Sequence, residues 1–153
     1  MAVYFFDSSA IVKRYVEETG TDWVVGVTNP EEGESIYVAR ITGAEVVSAI
    51  ARRGRGGDIS EDDVTRAIAD FRHDFMHAYH VLEITPALIT RAMSLAETHA
   101  LRGYDAVQLA AVLEVNDRCL ELEIPAPTLV SADEALNEAT GLEGLTVEDP
   151  NVH

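Results

Sequence analysis

Four consecutive β-branched or aromatic residues, Val3-Tyr4-Phe5-Phe6, run directly into Asp7-Ser8-Ser9. A short run of that composition, without polar alternation, suits a strand covered on both faces in the middle of a parallel sheet. Ala10 to Val16 then reads as a helix. In an open α/β sheet, the carboxyl end of a strand that feeds a helix is where ligands bind. Asp7 therefore stands at the mouth of a prospective site. The same residue is also a good helix N-cap, because a carboxylate accepts from the free N–H groups of a first turn.

The alternation continues along the chain. A short helix is predicted over Gly20 to Val27, a second strand over Ser35 to Arg40, and a helix over Ile41 to Arg53. Gly54, Gly56 and Gly57 predict a mobile loop after it. Ser60 caps a helix running to about Ala78, Val81 to Ile84 forms a third strand, and Thr85-Pro86 opens another helix. The segment from Gly103 to Leu113 is apolar nearly all round, which predicts a buried helix. Pro127 to Ser131 is a fourth strand, followed by a brief helix, a possible edge strand over Gly144 to Glu148, and a tail from Asp149 to His153. Strands alternating with helices imply an α/β fold, a three-layer α/β/α sandwich around a parallel sheet of four to five strands. A chain of 153 residues makes that one domain, here residues 1–148.

The single cysteine, Cys119, excludes an internal disulfide and fits a packing role in a reducing compartment. No basic leader precedes an apolar segment at the start, and no run approaches a membrane span, so a cytoplasmic location is expected. The net charge is −16. Such a balance argues against a broad nonspecific nucleic-acid surface and favours cations or basic partners. The basic residues are ten Arg and one Lys. Lys13 and Arg14 follow Asp7, while Arg52, Arg53 and Arg55 follow Glu45. Either these cations line the rim of an acidic pocket and steer an RNA backbone, or they are solvated helix ends.

Four acids interrupt apolar surroundings. Asp7 ends the first strand, Glu45 lies between Ala44 and Val46, Asp105 heads the most apolar helix, and Asp133 follows the fourth strand. Singly, Asp7, Asp105 and Asp133 read as caps and Glu45 as a solvated residue pairing with Arg52. Together they point elsewhere, because the ends of parallel strands share one edge of the sheet. Carboxylates gathered there raise one another's pKa or collect a divalent cation. Oxygen ligands with no His or Cys beside them select Mg²⁺ or Mn²⁺ over zinc. His73 and His77 have a zinc-compatible spacing, but the intervening Glu of the protease motif and a third ligand are missing. The chain contains neither a Gly-x-Ser-x-Gly elbow nor a phosphate-binding glycine loop after a strand.

These residues carry a resemblance. Phe6-Asp7-Ser8-Ser9-Ala10, Thr42-Gly43-Ala44-Glu45-Val46, Tyr104-Asp105-Ala106-Val107-Gln108 and Leu129-Val130-Ser131-Ala132-Asp133 resemble, in order and spacing, the motifs of PIN-domain ribonucleases. Among these the chain looks like the VapC-like toxins of toxin–antitoxin pairs. The resemblance implies a PIN fold and metal-dependent hydrolysis of RNA that leaves 5′-phosphate and 3′-hydroxyl ends. It implies that Asp7, Glu45, Asp105 and Asp133 are the catalytic acids holding one or two Mg²⁺ or Mn²⁺ ions, with Ser9 and Ser131 as supporting hydroxyls. Threonine is more usual at the Ser131 position. It further implies a homodimer silenced by an antitoxin protein. The alternatives are a noncatalytic PIN-fold interaction module, against which the intact acids count, and an aspartate-based phosphotransfer protein. Ser9 stands where the latter would place a second Asp.

Overall fold

The computed structural model describes residues 1–153. Five strands, β1 (Val3–Phe6), β2 (Ser35–Ala39), β3 (His80–Leu82), β4 (Thr128–Val130) and β5 (Thr146–Glu148), form one parallel sheet in the order β3-β2-β1-β4-β5. The chain builds outward from β1 to β3, then returns to lay β4 on the other side of β1. That reversal makes the β1/β4 crevice the topological switch point of the sheet.

Side-chain alternation explains why β1 is central. Val3 and Phe5 enter one core with Ala39, Leu82 and Leu129, whereas Phe6 enters the other with Ile36, Val38 and Val130. The first core is closed by α5 (Pro86–His99), α6 (Gly103–Glu121) and α7 (Glu134–Leu142), and the second by α1 (Ser8–Ile11), α2 (Thr21–Val27), α3 (Thr42–Arg55) and α4 (Glu61–His77). Phe5 and Phe6 are fully buried, and each contributes about 2–3 kcal/mol by leaving water. The three-layer α/β/α arrangement is thus set by apolar residues on both sides of each inner strand.

The helix starts follow local chemistry. Ser60 accepts from the Asp63 amide and Thr85 from the Leu88 amide, with Pro86 opening α5. Helix α6 has no side-chain cap; its wide apolar surface holds it in place, with Leu109 to Val112 entirely buried.

Three segments differ from the sequence-based expectation. The predicted mobile glycine loop begins later, because α3 continues through Gly54 to Arg55. A Cβ at Gly54 would lie 2.4 Å from Val64 Cγ2, so this glycine permits the close approach of α3 and α4. The helix after Asp7 is only one turn of α-helix followed by a 3₁₀ turn, Val12–Arg14. Residues expected as a tail form a 3₁₀ turn, Pro150–Val152, with Pro150 buried and the His153 ring stacked on Trp23 at 4.3 Å. Cys119 is buried and free, in the packing role expected of it. No helix is long and apolar enough to cross a membrane.

Candidate active site

Asp7, Glu45, Asp105 and Asp133 line a single cleft of about 640 Å³ at the carboxyl edge of the sheet. Each arrives from a different element. Asp7 follows β1, and its amide donates to the Val130 carbonyl at 3.2 Å, continuing the β1–β4 ladder. Asp133 follows β4. Glu45 lies in the first turn of α3 and Asp105 in the first turn of α6, so these two acids come from opposite layers of the sandwich.

The capping reading also holds for two of them. Asp7 Oδ1 accepts from the Ala10 amide at 3.3 Å and from Ser9 Oγ at 2.6 Å. Asp133 Oδ1 accepts from the Leu136 amide at 2.9 Å. Asp105 is not a cap: Arg102 holds that position, and Asp105 Oδ2 is buried without a hydrogen-bond partner. Glu45 makes no ion pair with Arg52; its Oε1 instead accepts from Gln108 Nε2 at 3.0 Å.

Two hydroxyls and one amide brace these acids. Ser9 Oγ donates to Asp7 and accepts from the Ala132 amide at 2.9 Å, tying the end of β1 to the loop after β4. Ser131 Oγ, fully buried, accepts from the Asp133 amide at 3.0 Å. Gln108 Nε2 donates to Thr42 Oγ1 at 3.1 Å as well as to Glu45, bridging the two helical layers over the sheet edge. Gln108 is 2% exposed, and its fixed amide orients Glu45.

Electrostatically the cleft is unbalanced. Burial pushes the Asp7 carboxyl up to about 7; hydrogen bonds from Ser9, Ser131 and Ala10 only partly offset this, and the Glu45 charge adds to it. Glu45 is raised by burial and by Asp105, and Asp105 by burial and by Asp133. The one cation paired with any of the four is Arg102, with Nε 3.6 Å from Asp105 Oδ2 and Nη2 3.9 Å from Asp133 Oδ2. Its side chain is 70% exposed, so water screens the attraction. As they stand, no three of these side chains converge as a metal-ligand set.

The basic residues divide. Arg52 lines the acidic cleft and an adjoining groove that also includes Arg53. Arg53 is held by Glu18 at 2.8 Å and Asp58 at 3.3 Å, while buried Lys13 shares Glu18 at 3.1 Å. Arg55 is exposed at the end of α3. Arg14 is not at the rim: it pairs with Asp74 at 3.4 Å and donates to Thr28 Oγ1 at 2.8 Å beside a separate pocket. Its helix is too short to carry it round to the cleft. His73 and His77 are exposed on α4, as surface residues are. Thr42 and Gln108 lie in the quoted motifs but carry no assigned role there, and Arg102 has no sequence signal; the Asp105-to-Gln108 spacing of three on one helix is the available sign for Gln108.

No family model matches the chain. Two Mycobacterium tuberculosis proteins, Ribonuclease VapC45 and Ribonuclease VapC49, are each 35% identical to it over 117 residues, covering 76% of this chain and 79% of theirs. Among solved structures, PAE2754 from Pyrobaculum aerophilum superposes with a TM-score of 0.63 at 19% identity, covering 99% of this chain and 91% of that one. VapBC2 from Rickettsia felis, bound to a DNA fragment from its promoter, gives 0.58 at 11% identity over 96% and 98% of the two chains. FitAcB from Neisseria gonorrhoeae gives 0.57 at 15% identity over 97% and 98%. The structural matches share the fold, and the mycobacterial relatives share enough sequence along enough of their length to fix the lineage: the chain belongs to the VapC family of PIN-domain ribonucleases.

Proposed function

We propose that this protein is a divalent-metal-dependent endoribonuclease and the toxin of a toxin–antitoxin pair. The observation that carries the reading is the gathering of four carboxylates at the switch point, with one screened arginine as the only cation in ion-pair contact with them. Buried charge left unpaired is costly, and the chain supplies no buried cation to the cleft. The all-oxygen donor set, and an Asp105 Oδ2 that accepts no hydrogen bond, fit a hard divalent ion. Asp7, Glu45, Asp105 and Asp133 would hold one or two Mg²⁺ or Mn²⁺ ions. When bound, such an ion supplies Lewis-acid stabilisation of the phosphodiester and a more acidic water.

The protein's own residues do the rest. Ser9 keeps Asp7 turned toward the β1/β4 crevice, and Gln108 keeps Glu45 facing Asp105 from the opposite wall. Arg52 and Arg102 flank the acids, and a guanidinium suits a phosphate on either side of the scissile bond. Arg53 and Arg55 extend this charge along the end of α3. The names of the mycobacterial relatives support ribonuclease activity, and the paired architecture named for the Rickettsia and Neisseria neighbours supports an antitoxin partner. A homodimer belongs to the same reading: Ile89 and Met93, four residues apart on α5, are exposed and offer an apolar surface to a second copy.

Incubating an RNA pool with wild type and Asp7→Asn, each in Mg²⁺, Mn²⁺ or EDTA, tests the proposal. Cleavage is expected only when both the ion and Asp7 are present. Cleavage that persists in EDTA, or in the variant, would remove the acidic cleft from the chemistry.

A further inference from the structure

The chain has ten aromatic side chains from Phe, Tyr and Trp, and Tyr104 alone is exposed, at 52%. It stands in the acidic cleft, next to Asp105. Its ring pairs with no other aromatic ring in the molecule. Across the cleft, Ile41 is 41% exposed at the start of α3, four residues before Glu45 and so on the same face of the helix. Each wall therefore carries an acid and, beside it, an exposed apolar side chain. Neither Ile41 nor Tyr104 belongs to the two cores, so packing does not account for either.

Building on the ribonuclease reading, we infer that Tyr104, opposed by Ile41, is the platform on which an unpaired nucleobase next to the scissile phosphate stacks. The chemistry of the cleft assigns the two parts of a nucleotide to different groups. The acids and flanking arginines face the charged backbone, and the exposed ring offers a π-face that any base can cover. A base inside a duplex is already paired and stacked and cannot reach such a ring without being extruded, so this contact favours single strands. The contact needs no cation on the base and no broad basic surface. It thus suits a protein of net charge −16, in which electrostatic capture of RNA is weak.

The test uses wild type, Tyr104→Ala, Tyr104→Phe and Tyr104→Trp. Each is given a random-sequence pool of unstructured 5′-fluorescein RNA and the same pool annealed to its complement. Binding is read by anisotropy in EDTA and cleavage in Mg²⁺. Tyr104→Ala is expected to weaken single-strand binding about 5- to 150-fold, to raise KM more than it lowers kcat, and to shrink the preference for single strands. Tyr104→Phe and Tyr104→Trp are expected to stay within about twofold of wild type, because each keeps a ring. Unchanged single-strand binding by Tyr104→Ala, at an unchanged melting temperature, would overturn the proposal and leave the ring to a protein partner. A Tyr104→Phe variant as weak as Tyr104→Ala would overturn stacking in favour of a hydroxyl contact. A wild type that binds single strands through Tyr104 but cuts neither pool would refute the nuclease reading alone, and one that binds neither pool would refute both.

Discussion

Two groups of partly or wholly buried polar side chains in this molecule are built on opposite plans. Around Tyr15, a cation and an anion meet: Arg14 pairs with Asp74, Asp74 accepts from the Tyr15 hydroxyl at 2.7 Å, and Tyr15 bonds Tyr79. Thr28 Oγ1 accepts from Arg14 and donates its own hydrogen bond to the Val24 carbonyl at 2.7 Å. The groups satisfy one another, and the network joins α2, α4 and the turn after α1. In the acidic cleft the braces are as numerous, but the charges do not cancel. Asp7 is driven up to about 7 by burial, and Asp105 keeps a buried oxygen without a hydrogen-bond partner. Satisfied polar networks hold a fold together, whereas one that is braced but uncompensated marks a candidate functional site.

The sharpest way to break this contrast is Asp7→Asn. It keeps the shape and one acceptor oxygen, and it should reduce RNA cleavage by about 1,000-fold or more, beyond the loss typical of residues that act only through a ligand. Full activity in a gel-based cleavage assay would erase the distinction between the two clusters. The second test is pH. The folded carboxyl of Asp7 lies above its usual value of 3.8, so its stabilising share is complete below that value and is lost as pH rises toward 7. The loss is up to about 4 kcal/mol at roughly 1.4 kcal/mol per unit. In EDTA, thermal melts of wild type and Asp7→Asn should therefore coincide near pH 4 and diverge by pH 8, with the variant the more stable. Curves that run parallel across that range would contradict the buried, uncompensated charge.

The Tyr15 cluster should respond in the opposite sense. Asp74→Ala leaves Arg14 and Tyr15 without their acceptor in a partly buried setting and should cost about 2 kcal/mol in urea unfolding. Cleavage per folded molecule should stay within about twofold. A large activity loss at full stability would move this cluster into the site. Gln108→Leu lies between the two cases: Glu45 loses its orienting donor, and kcat should fall about 10-fold with the melting temperature little changed. Arg102→Gln is expected to shift stability least, by less than about 0.5 kcal/mol, since the pair is exposed. Isothermal titration should show it binding Mn²⁺ more tightly, because a competing cation has gone; weaker binding would make Arg102 a support for the ion rather than a competitor.

Much of the fold and the acids were legible in the sequence because they rest on local rules. Apolar residues without alternation marked β1, and Ser60 and Thr85-Pro86 marked helix starts that the structure uses as read. Gly54 departs from the local rule, since a glycine that breaks an isolated helix can sit inside one that must approach a neighbour, here Val64. Arg14 and Arg52 were alike as sequence features; only the packing of α4 gave Arg14 to Asp74 and left Arg52 beside the acids.

What the sequence determined by itself was the set of elements, their apolar faces and the carboxylates that interrupt them, all properties of neighbours a few residues apart. Only the tertiary structure decided that α3 and α6, lying on opposite layers, meet over the sheet edge through Gln108 and Glu45, 63 residues apart in the chain. The order in which β4 returns to pair with β1 creates that meeting. Strand order is a nonlocal outcome of filling two cores at once, and no local spacing encodes it.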